Sequence, residues 1–460
     1  MAKIGNPFAQ MLVARQPEQF FGRRADLEPI LQGVSGREPR SFSIQGVKTI
    51  GKTSLLNYVC NPLGALANYA YVLGEYGSRG SGMELEFCFF DFYTVSGEGV
   101  LATLYAGLLQ SEKLRQYASG MPAAEQLARE KKAEIRKALL GLCRELKEKR
   151  LRVVICLDNF DKAFQSLEYE DDIFLRSLTY DQAFILATEK SLAELRQDPR
   201  RTSPLVNILF QRNIGLLSEQ EARQLLTVPT EGTQAAFTPN EVDFLLRVAG
   251  RQPYLLTIGA EFLYNLHLQY PNLQEIIPKG SPAWEQVKSQ MGALPAVTEI
   301  CTLFWNYLSA EERQALSFMA RSGERNPEAT RPALGSLRQK ALVDVDLQTG
   351  RFTLFSELFK EFVLQKEQPV RRQGIQEIIE DLSSLDRRLM EYLLAHPNQV
   401  CTFEDLLSAV WDDPQASKRA LEAAVHRIRT RIQDIEGAGW EYIKNVRRKG
   451  YMYTPRPSSD

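Results

Sequence analysis

Histidine is scarce in this 460-residue chain: His267, His396 and His426 are its three, each in a separate segment. No Ser-His-Asp arrangement and no Cys/His metal site can be assembled from them. The six cysteines (Cys60, Cys88, Cys143, Cys156, Cys301, Cys401) are scattered, with no pair at the spacing of a zinc knuckle or redox motif. Cys88 and Cys156 lie in apolar runs and read as buried, reduced thiols. Also missing is any run approaching the ~18 apolar residues of a membrane span. Met1–Gln10 lacks the apolar core of a secretory signal. The expected compartment is the cytoplasm, with no membrane partner. The formal net charge is only −1, so a nucleic-acid surface must be a local patch. Low-complexity tracts and short-period repeats are absent as well.

What is present is a composition suited to large cores, 44% hydrophobic and 25% charged. The length suggests roughly three domains of about 150 residues each. Apolar strand patterns fall at Ser41–Gln45, Leu85–Phe92, Val153–Leu157 and Ala183–Ala187, and the short apolar piece Ile214–Leu217 completes the series. Helical patterns separate them, at Thr53–Val59, Val100–Tyr117, Ala123–Lys149 and Asp171–Leu178. Gly74–Gly82 reads as an exposed loop, and the charged run Arg129–Lys137 as a solvated helix face. Strands and helices in alternation imply a parallel sheet covered on both faces. From Ser218 the pattern turns helical: Glu219–Leu226, Pro239–Ala249, Tyr254–Tyr270 and Glu285–Met291. Two units of helices followed by a hairpin come next, about Ala296–Phe362 and Ile375–Tyr453, joined by the polar stretch Gln365–Gly374 with Pro369.

Gly46–Val47–Lys48–Thr49–Ile50–Gly51–Lys52–Thr53 satisfies the pattern G-x-x-x-x-G-K-[ST] at every position, between a strand and a helix. Successive backbone N–H groups there, with the following helix N-terminus, suit a polyphosphate. Gly46, Gly51, Lys52, Thr53 and Ser54 are the expected nucleotide contacts. Lys52 would reach the outer phosphates, Thr53 would ligate Mg²⁺, and Gly51 would admit close approach of the backbone. The apolar run Val153–Leu157 ends in Asp158, the second expected Mg²⁺ residue. Asn159 follows it where a vigorous ATPase would carry Glu, which leaves Asp161 as the nearby carboxylate that could substitute. Any hydrolysis is expected to be slow.

These motifs resemble those of STAND-class ATPases, the signalling branch near AAA+ proteins, over about Asn6 to Phe362. Phe20–Phe21–Gly22–Arg23 is similar to the entry motif that lies beside the adenine, and Ile185–Leu186–Ala187–Thr188 to the sensor-1 strand. Leu217–Ala222 resembles the opening of the helical lid, and Gly250–Arg251–Gln252–Pro253–Tyr254 the lid motif whose proline packs against the nucleotide. Ala296–Phe362 resembles the small winged helix that clamps the ADP-bound form, with Phe355–Ser356–Glu357 where the family carries its histidine motif. The basic sensor residue often following Thr188 is replaced by Glu189 and then Lys190. The resemblance implies a P-loop domain at 1–217, a lid at 218–295 and a clamp at 296–364, with Arg23, Thr188 and Pro253 added to the site.

Near the C-terminus, Ser417 is a fitting N-cap for a helix Lys418–Ile435. Leu421, Val425, Ile428, Ile432 and Ile435 form its apolar stripe. Lys418, Arg419, His426, Arg427, Arg429 and Arg431 fall largely off that stripe, and Lys444, Arg447, Arg448, Lys449 and Tyr451 crowd a hairpin. Basic residues here clearly outnumber the four acids of Gln415–Arg456, namely Glu422, Asp434, Glu436 and Glu441. A basic helix beside a basic hairpin could address a major groove and the flanking phosphates of duplex DNA. Residues 382–453 resemble the OmpR-like winged-helix domains of bacterial response regulators, from the helix ending at Trp411 to the wing Tyr442–Tyr451. A glycine of that family's wing is replaced by Arg448. The expected domain is 375–455.

The fold class expected is thus an α/β P-loop NTPase parallel sheet followed by an α-helical lid and two winged-helix domains. The expected function is an ATP/ADP-controlled switch with Mg²⁺, binding double-stranded DNA and self-associating in its ATP state. A defence-system scaffold whose last domain recruits a protein effector is one alternative. A DNA-stimulated ATPase of transposition or replication is another.

Overall fold

The computed structural model describes residues 5–73, 82–95, 97–118, 121–123, 132–195, 203–270, 281–322, 331–345, 350–366, 382–411, 417–436, 442–446 and 449–454, without the side chains of 98, 322, 331, 431 and 433–436. The loop expected at Gly74–Gly82 and the linker around Pro369 lie almost wholly outside the described residues. So do Arg447 and Arg448, together with the side chain of Arg431. The chain forms two compact units, Met1–Phe362 and Val363–Asp460.

The first unit is built on five parallel strands, β1 (Phe42–Gln45), β2 (Glu84–Asp91), β3 (Leu151–Asp158), β4 (Ala183–Thr188) and β5 (Phe210–Asn213). Their order in the sheet is β2-β3-β4-β1-β5. Every residue of β3 and β4 is buried, as their continuous apolar runs require of strands covered on both faces. The chain leaves β1 toward β2 on one side and leaves β4 toward β5 on the other. The C-terminal ends of β1 and β4 therefore flank the switch point, where ligands of such sheets bind; Gln45 pairs with Thr188 there.

Three expectations are corrected in this unit. The fifth strand is Phe210–Asn213, not Ile214–Leu217. It is an edge strand, Phe210 is 47% exposed, and an edge carries polar residues without penalty. The helix expected over Val100–Tyr117 is broken into Val100–Leu108 and Glu112–Arg115, because Ser111 caps the second piece. The charged helix, Lys132–Glu148 in the described residues, is not merely solvated. Lys132 and Arg136 lie 3.1 and 2.6 Å from Asp171, a carboxylate with no exposed surface, and they neutralise a charge that could not be buried alone.

After the sheet come the helices Glu219–Thr227 and Pro239–Val248, each opened by a reciprocal capping box, Ser218 with Glu221 and Thr238 with Glu241. Pro253–Gln269, Ala283–Gly292, Pro295–Asn306, Ala310–Ser322 and Arg331–Gln339 follow. An antiparallel hairpin, β6 (Val343–Val345) with β7 (Phe352–Leu354), and a helix at 357–366 end the series.

The second unit has the order expected of a winged helix. Helix Ser384–Ala395, strand β8 (Cys401–Thr402), helix Phe403–Val410 and helix Lys418–Glu436 precede the hairpin of β9 (Ile443–Val446) and β10 (Gly450–Tyr453). The sheet order is β8-β10-β9. Leu389, Leu393, Leu406, Leu421, Val425, Ile428 and Ile443 fill its core. Among the described residues no helix is long and apolar enough to cross a membrane.

Candidate functional site

The segment after β1 folds over the start of helix Lys52–Cys60 and, with the ends of β3 and β4, borders a cavity of about 500 Å³, within the usual range for small-molecule sites. Lys48, Thr49, Gly51, Lys52, Thr53 and Ser54 line one side, and Asn159, Asp161, Glu189 and Lys190 another. The Lys52 ammonium donates to Gly46 O (2.7 Å) and Val47 O (3.1 Å). It is buried, and burial pushes its pKa down. Among the described residues no carboxylate pairs with it. Two carbonyl dipoles are weak compensation for a buried cation, so the site favours an anion beside it.

Thr53 Oγ1 donates to Asp158 Oδ2 at 2.7 Å. The other oxygen, Oδ1, is buried, and among the described residues it has no hydrogen-bond partner. Burial holds the Asp158 carboxyl above its ordinary range, against the Thr53 hydroxyl, the Asn159 N–H and Lys52, which favour the charged form. A hydroxyl joined to a half-satisfied carboxylate is the donor set of a hard divalent cation. The residues present therefore fit Mg²⁺ and a polyphosphate.

Gly51 has φ +102°, which only glycine adopts readily, and a Cβ there would meet no protein atom closer than Arg23 Nη2 at 3.9 Å. At Gly46 a Cβ would sit 2.8 Å from Ile214 O.

Thr49 is also left-handed, at φ +63°, a strained conformation for a β-branched residue. It is held from the helical region. Gln252 Nε2 donates to Thr49 O (3.1 Å) and Thr49 Oγ1 (2.9 Å), while Gln252 Oε1 caps helix Pro253–Gln269 by accepting from Leu255 N. Pro253 is the first residue of that helix and does not line the cavity; Tyr254 does. Arg23, expected beside a base, does not line the cavity either. Its buried guanidinium donates to Gly215 O (2.7 Å) and Ile50 O (2.6 Å) and braces the loop from behind. Ser54 Oγ accepts from Ala14 N at 3.1 Å and ties the N-terminal segment to the same helix.

Thr188 is buried, its hydroxyl donating to Lys190 O at 2.7 Å. Asp161 accepts from the backbone amides of Glu189 (2.9 Å) and Lys190 (3.3 Å). Its carboxylate thus shapes the 188–190 turn. That turn also meets the end of helix Pro295–Asn306: Tyr307 OH donates to Glu189 O at 3.1 Å, and the Glu189 carboxylate lies 3.6 Å from the Lys48 ammonium. Tyr307 and Gln252 were not singled out as site residues, since each acts across a sequence separation of more than 100 residues.

Residues 247–288 and the region of the β6–β7 hairpin meet closely. Gly250 has φ +73°, and a Cβ there would fall 2.0 Å from Phe355 O. Arg251 pairs with Asp344, Arg247 lies 3.0 Å from Glu357, and Lys288 lies 2.9 Å from Glu361.

In the second unit the basic residues divide. Arg419 and His426 are exposed along one stripe of helix Lys418–Glu436, together with Ala423 and Thr430. Lys418 is exposed with its ammonium 4.1 Å from the Phe403 ring centroid, and Lys449 is exposed at the hairpin, where Lys444 is half-buried. Arg427 instead grips the buried Asp386 with two hydrogen bonds, 2.9 and 2.6 Å. Arg429 donates to Ile443 O. Tyr451 is buried, edge-on to Phe403. Arg429 and Tyr451 support the fold where a DNA face was expected, whereas Arg427, tied to Asp386, still exposes 54% of its side chain.

Residues 376–453 match the family described as "Transcriptional regulatory protein, C terminal". Over 120 residues the chain is 28% identical to the two-component response regulator PhoP of Pseudomonas aeruginosa, a match spanning 26% of this chain and 47% of that protein. The chain thus spans about half the length of that curated relative. It is also similar to two solved structures. One is the Aeropyrum pernix ORC2 protein in ADPNP-ADP complexes (16% identity, TM-score 0.46, 80% of this chain and 99% of that one). The other is the Walker-type ATPase paby2304 of Pyrococcus abyssi (12% identity, TM-score 0.46, 77% and 99%). The architecture is a P-loop ATPase-like fold joined to a C-terminal winged-helix domain of transcriptional-regulator type.

Proposed function

We propose that this protein is a nucleotide-controlled regulator: ATP or ADP with Mg²⁺ binds at Gly46–Ser54, and the winged helix binds duplex DNA. The observation that carries the reading is the strained Thr49 held by Gln252. It ties the conformation of the phosphate-binding loop to helix Pro253–Gln269 of the lid, so a change at the loop would be felt outside the sheet. Lys52 would pair with the phosphates, and Thr53 with Asp158 would hold Mg²⁺. The metal would supply charge neutralisation across the outer phosphates. The ion pairs between lid and hairpin support reading this arrangement as the closed, ADP-type form. ATP would favour an open form to the extent that it binds that form more tightly. Self-association belongs to the open form in this reading. The exposed stripe of Arg419, Ala423, His426 and Thr430 would face base edges, and Lys444, Arg447, Arg448 and Lys449 the phosphates.

Titration of labelled duplex from the gene's upstream region tests this, with ADP and with a non-hydrolysable ATP analogue. Tighter binding with the analogue, abolished by Lys52→Ala and by the double variant Arg447→Ala/Arg448→Ala, is expected. Equal binding with both nucleotides would sink the switch, and no binding at modest salt would sink the DNA reading.

A further inference from the structure

We infer that Asp91 is the carboxylate that activates water for ATP hydrolysis in this chain, an inference that rests on the nucleotide reading above. The residue after Asp158 is Asn159, so the usual place for such a carboxylate is filled by an amide. Asp161 is spent on the amides of Glu189 and Lys190. On the neighbouring strand, β2 ends in Asp91, in register with Asp158 on β3. Register partners in a parallel pair project to the same face, with strands about 4.8 Å apart. Asp91 therefore stands beside the Mg²⁺-type carboxylate, one strand further from β1, and it is exposed where Asp158 is buried.

Its two oxygens differ. Oδ1 accepts from Tyr93 N (3.0 Å) and from Asn159 Nδ2 (2.9 Å). Among the described residues no hydrogen bond reaches Oδ2. Both donors to Oδ1 belong to residues that line the cavity; Asp91 is not itself a lining residue and is held behind that wall through one oxygen, its second oxygen free of hydrogen bonds among the described residues. Asn159 adopts φ +53° to reach it, a conformation that asparagine tolerates better than most residues. The two residues form a carboxylate–amide pair whose carboxylate sits on β2.

The reaction is water attack on the terminal phosphorus of ATP. The water oxygen bonds to phosphorus, and the bond from phosphorus to the bridging oxygen breaks with its electron pair leaving on ADP. One water proton passes to Asp91 and then to solvent, and inorganic phosphate is released. A lone positioned base contributes about 10²–10⁴-fold, which suits a slow enzyme.

The test uses the full chain in three measurements: affinity for a methylanthraniloyl-labelled ATP analogue, single-turnover hydrolysis of radiolabelled ATP, and trapping of ADP with aluminium fluoride. Asp91→Asn is expected to leave analogue affinity within about twofold, lower hydrolysis by about 100-fold or more, and abolish trapping. Asp91→Glu should retain part of the rate. The transposed variant Asp91→Asn/Asn159→Asp, with the pair exchanged between strands, should recover hydrolysis and trapping. Wild-type hydrolysis in Asp91→Asn, or a protein that binds the analogue and never hydrolyses ATP, overturns the proposal. Failure of the wild type to bind the analogue at all would instead remove the nucleotide reading beneath it.

Discussion

At the scale of single residues, Asp158 shows how the site trades stability for readiness to bind. Its carboxyl is held above the ordinary range chiefly by burial. A carboxyl with a folded pKa above its unfolded value near 4 binds more protons in the folded state, so stability falls as pH rises through that interval. Asp158→Asn removes the cost. In nucleotide- and Mg²⁺-free thermal unfolding, the variant should match the wild type near pH 4 and become progressively more stable than it as pH rises. With saturating Mg²⁺ and ADP the order should reverse, because ligand at 100 times its Kd stabilises the wild type by about 2.7 kcal/mol. A gap independent of pH would refute the assignment. Asp158 was readable in the sequence because an apolar run ending in one carboxylate is a local pattern. Phe87–Asp91 carries the same pattern, yet its meaning depends on β2 lying beside β3, which sequence order alone does not state. Where Arg23 and Tyr451 sit was not legible for a related reason: a residue type suits a role, but only packing decides whether it faces a cavity or a core.

At the scale of elements, local rules worked where the chemistry was local. Ser417 was readable as a helix start because a short side-chain oxygen satisfies an amide three residues on; Ser218 and Thr238 do the same in the structure. They failed for β5, whose polarity follows from its edge position. The helix Lys418–Glu436 had a readable apolar stripe, but its arginines could not be sorted from periodicity, since Arg427 finds its partner on helix Ser384–Ala395. That sorting makes a prediction. Arg427→Ala leaves the buried Asp386 carboxylate without its two hydrogen bonds, at a cost of about 1–3 kcal/mol. The unfolding transition of the C-terminal unit in the full chain should move down in temperature. Arg419→Ala, on the exposed stripe, should leave that transition in place and weaken duplex binding. If Arg427→Ala unfolds normally and selectively loses DNA affinity, the division drawn between the two arginines is wrong.

For the first unit as a whole, the proposed switch requires the contacts between residues 247–288 and the region of the β6–β7 hairpin to be strong enough to hold a closed form and weak enough to release it. Arg247–Glu357, Arg251–Asp344 and Lys288–Glu361 are partly exposed, with acidic side chains 32%, 40% and 40% accessible. Pairs of this kind contribute about 0.2–1 kcal/mol each. Three together supply roughly 0.6–3 kcal/mol, a factor of about 3–150 in an equilibrium. That range lies within what differential nucleotide affinity can overcome, since full inversion from 1:99 to 99:1 needs about 5.5 kcal/mol. The approach of Gly250 to Phe355 O has no such softness, so it should act as the pivot while the ion pairs act as the catch. Reversing the charges in Arg247→Glu/Lys288→Glu should therefore accelerate ADP release, measured by chase of labelled ADP, by at least several-fold at low salt. The effect should shrink toward physiological ionic strength, where such exposed pairs are screened over about 8 Å. Restoring opposite charge with Glu357→Lys/Glu361→Lys should slow release again. Unchanged release in the first variant would mean that the ion pairs do not hold the nucleotide-bound form, and the catch would then have to lie in Gln252 and Tyr307, the contacts that reach the loops themselves.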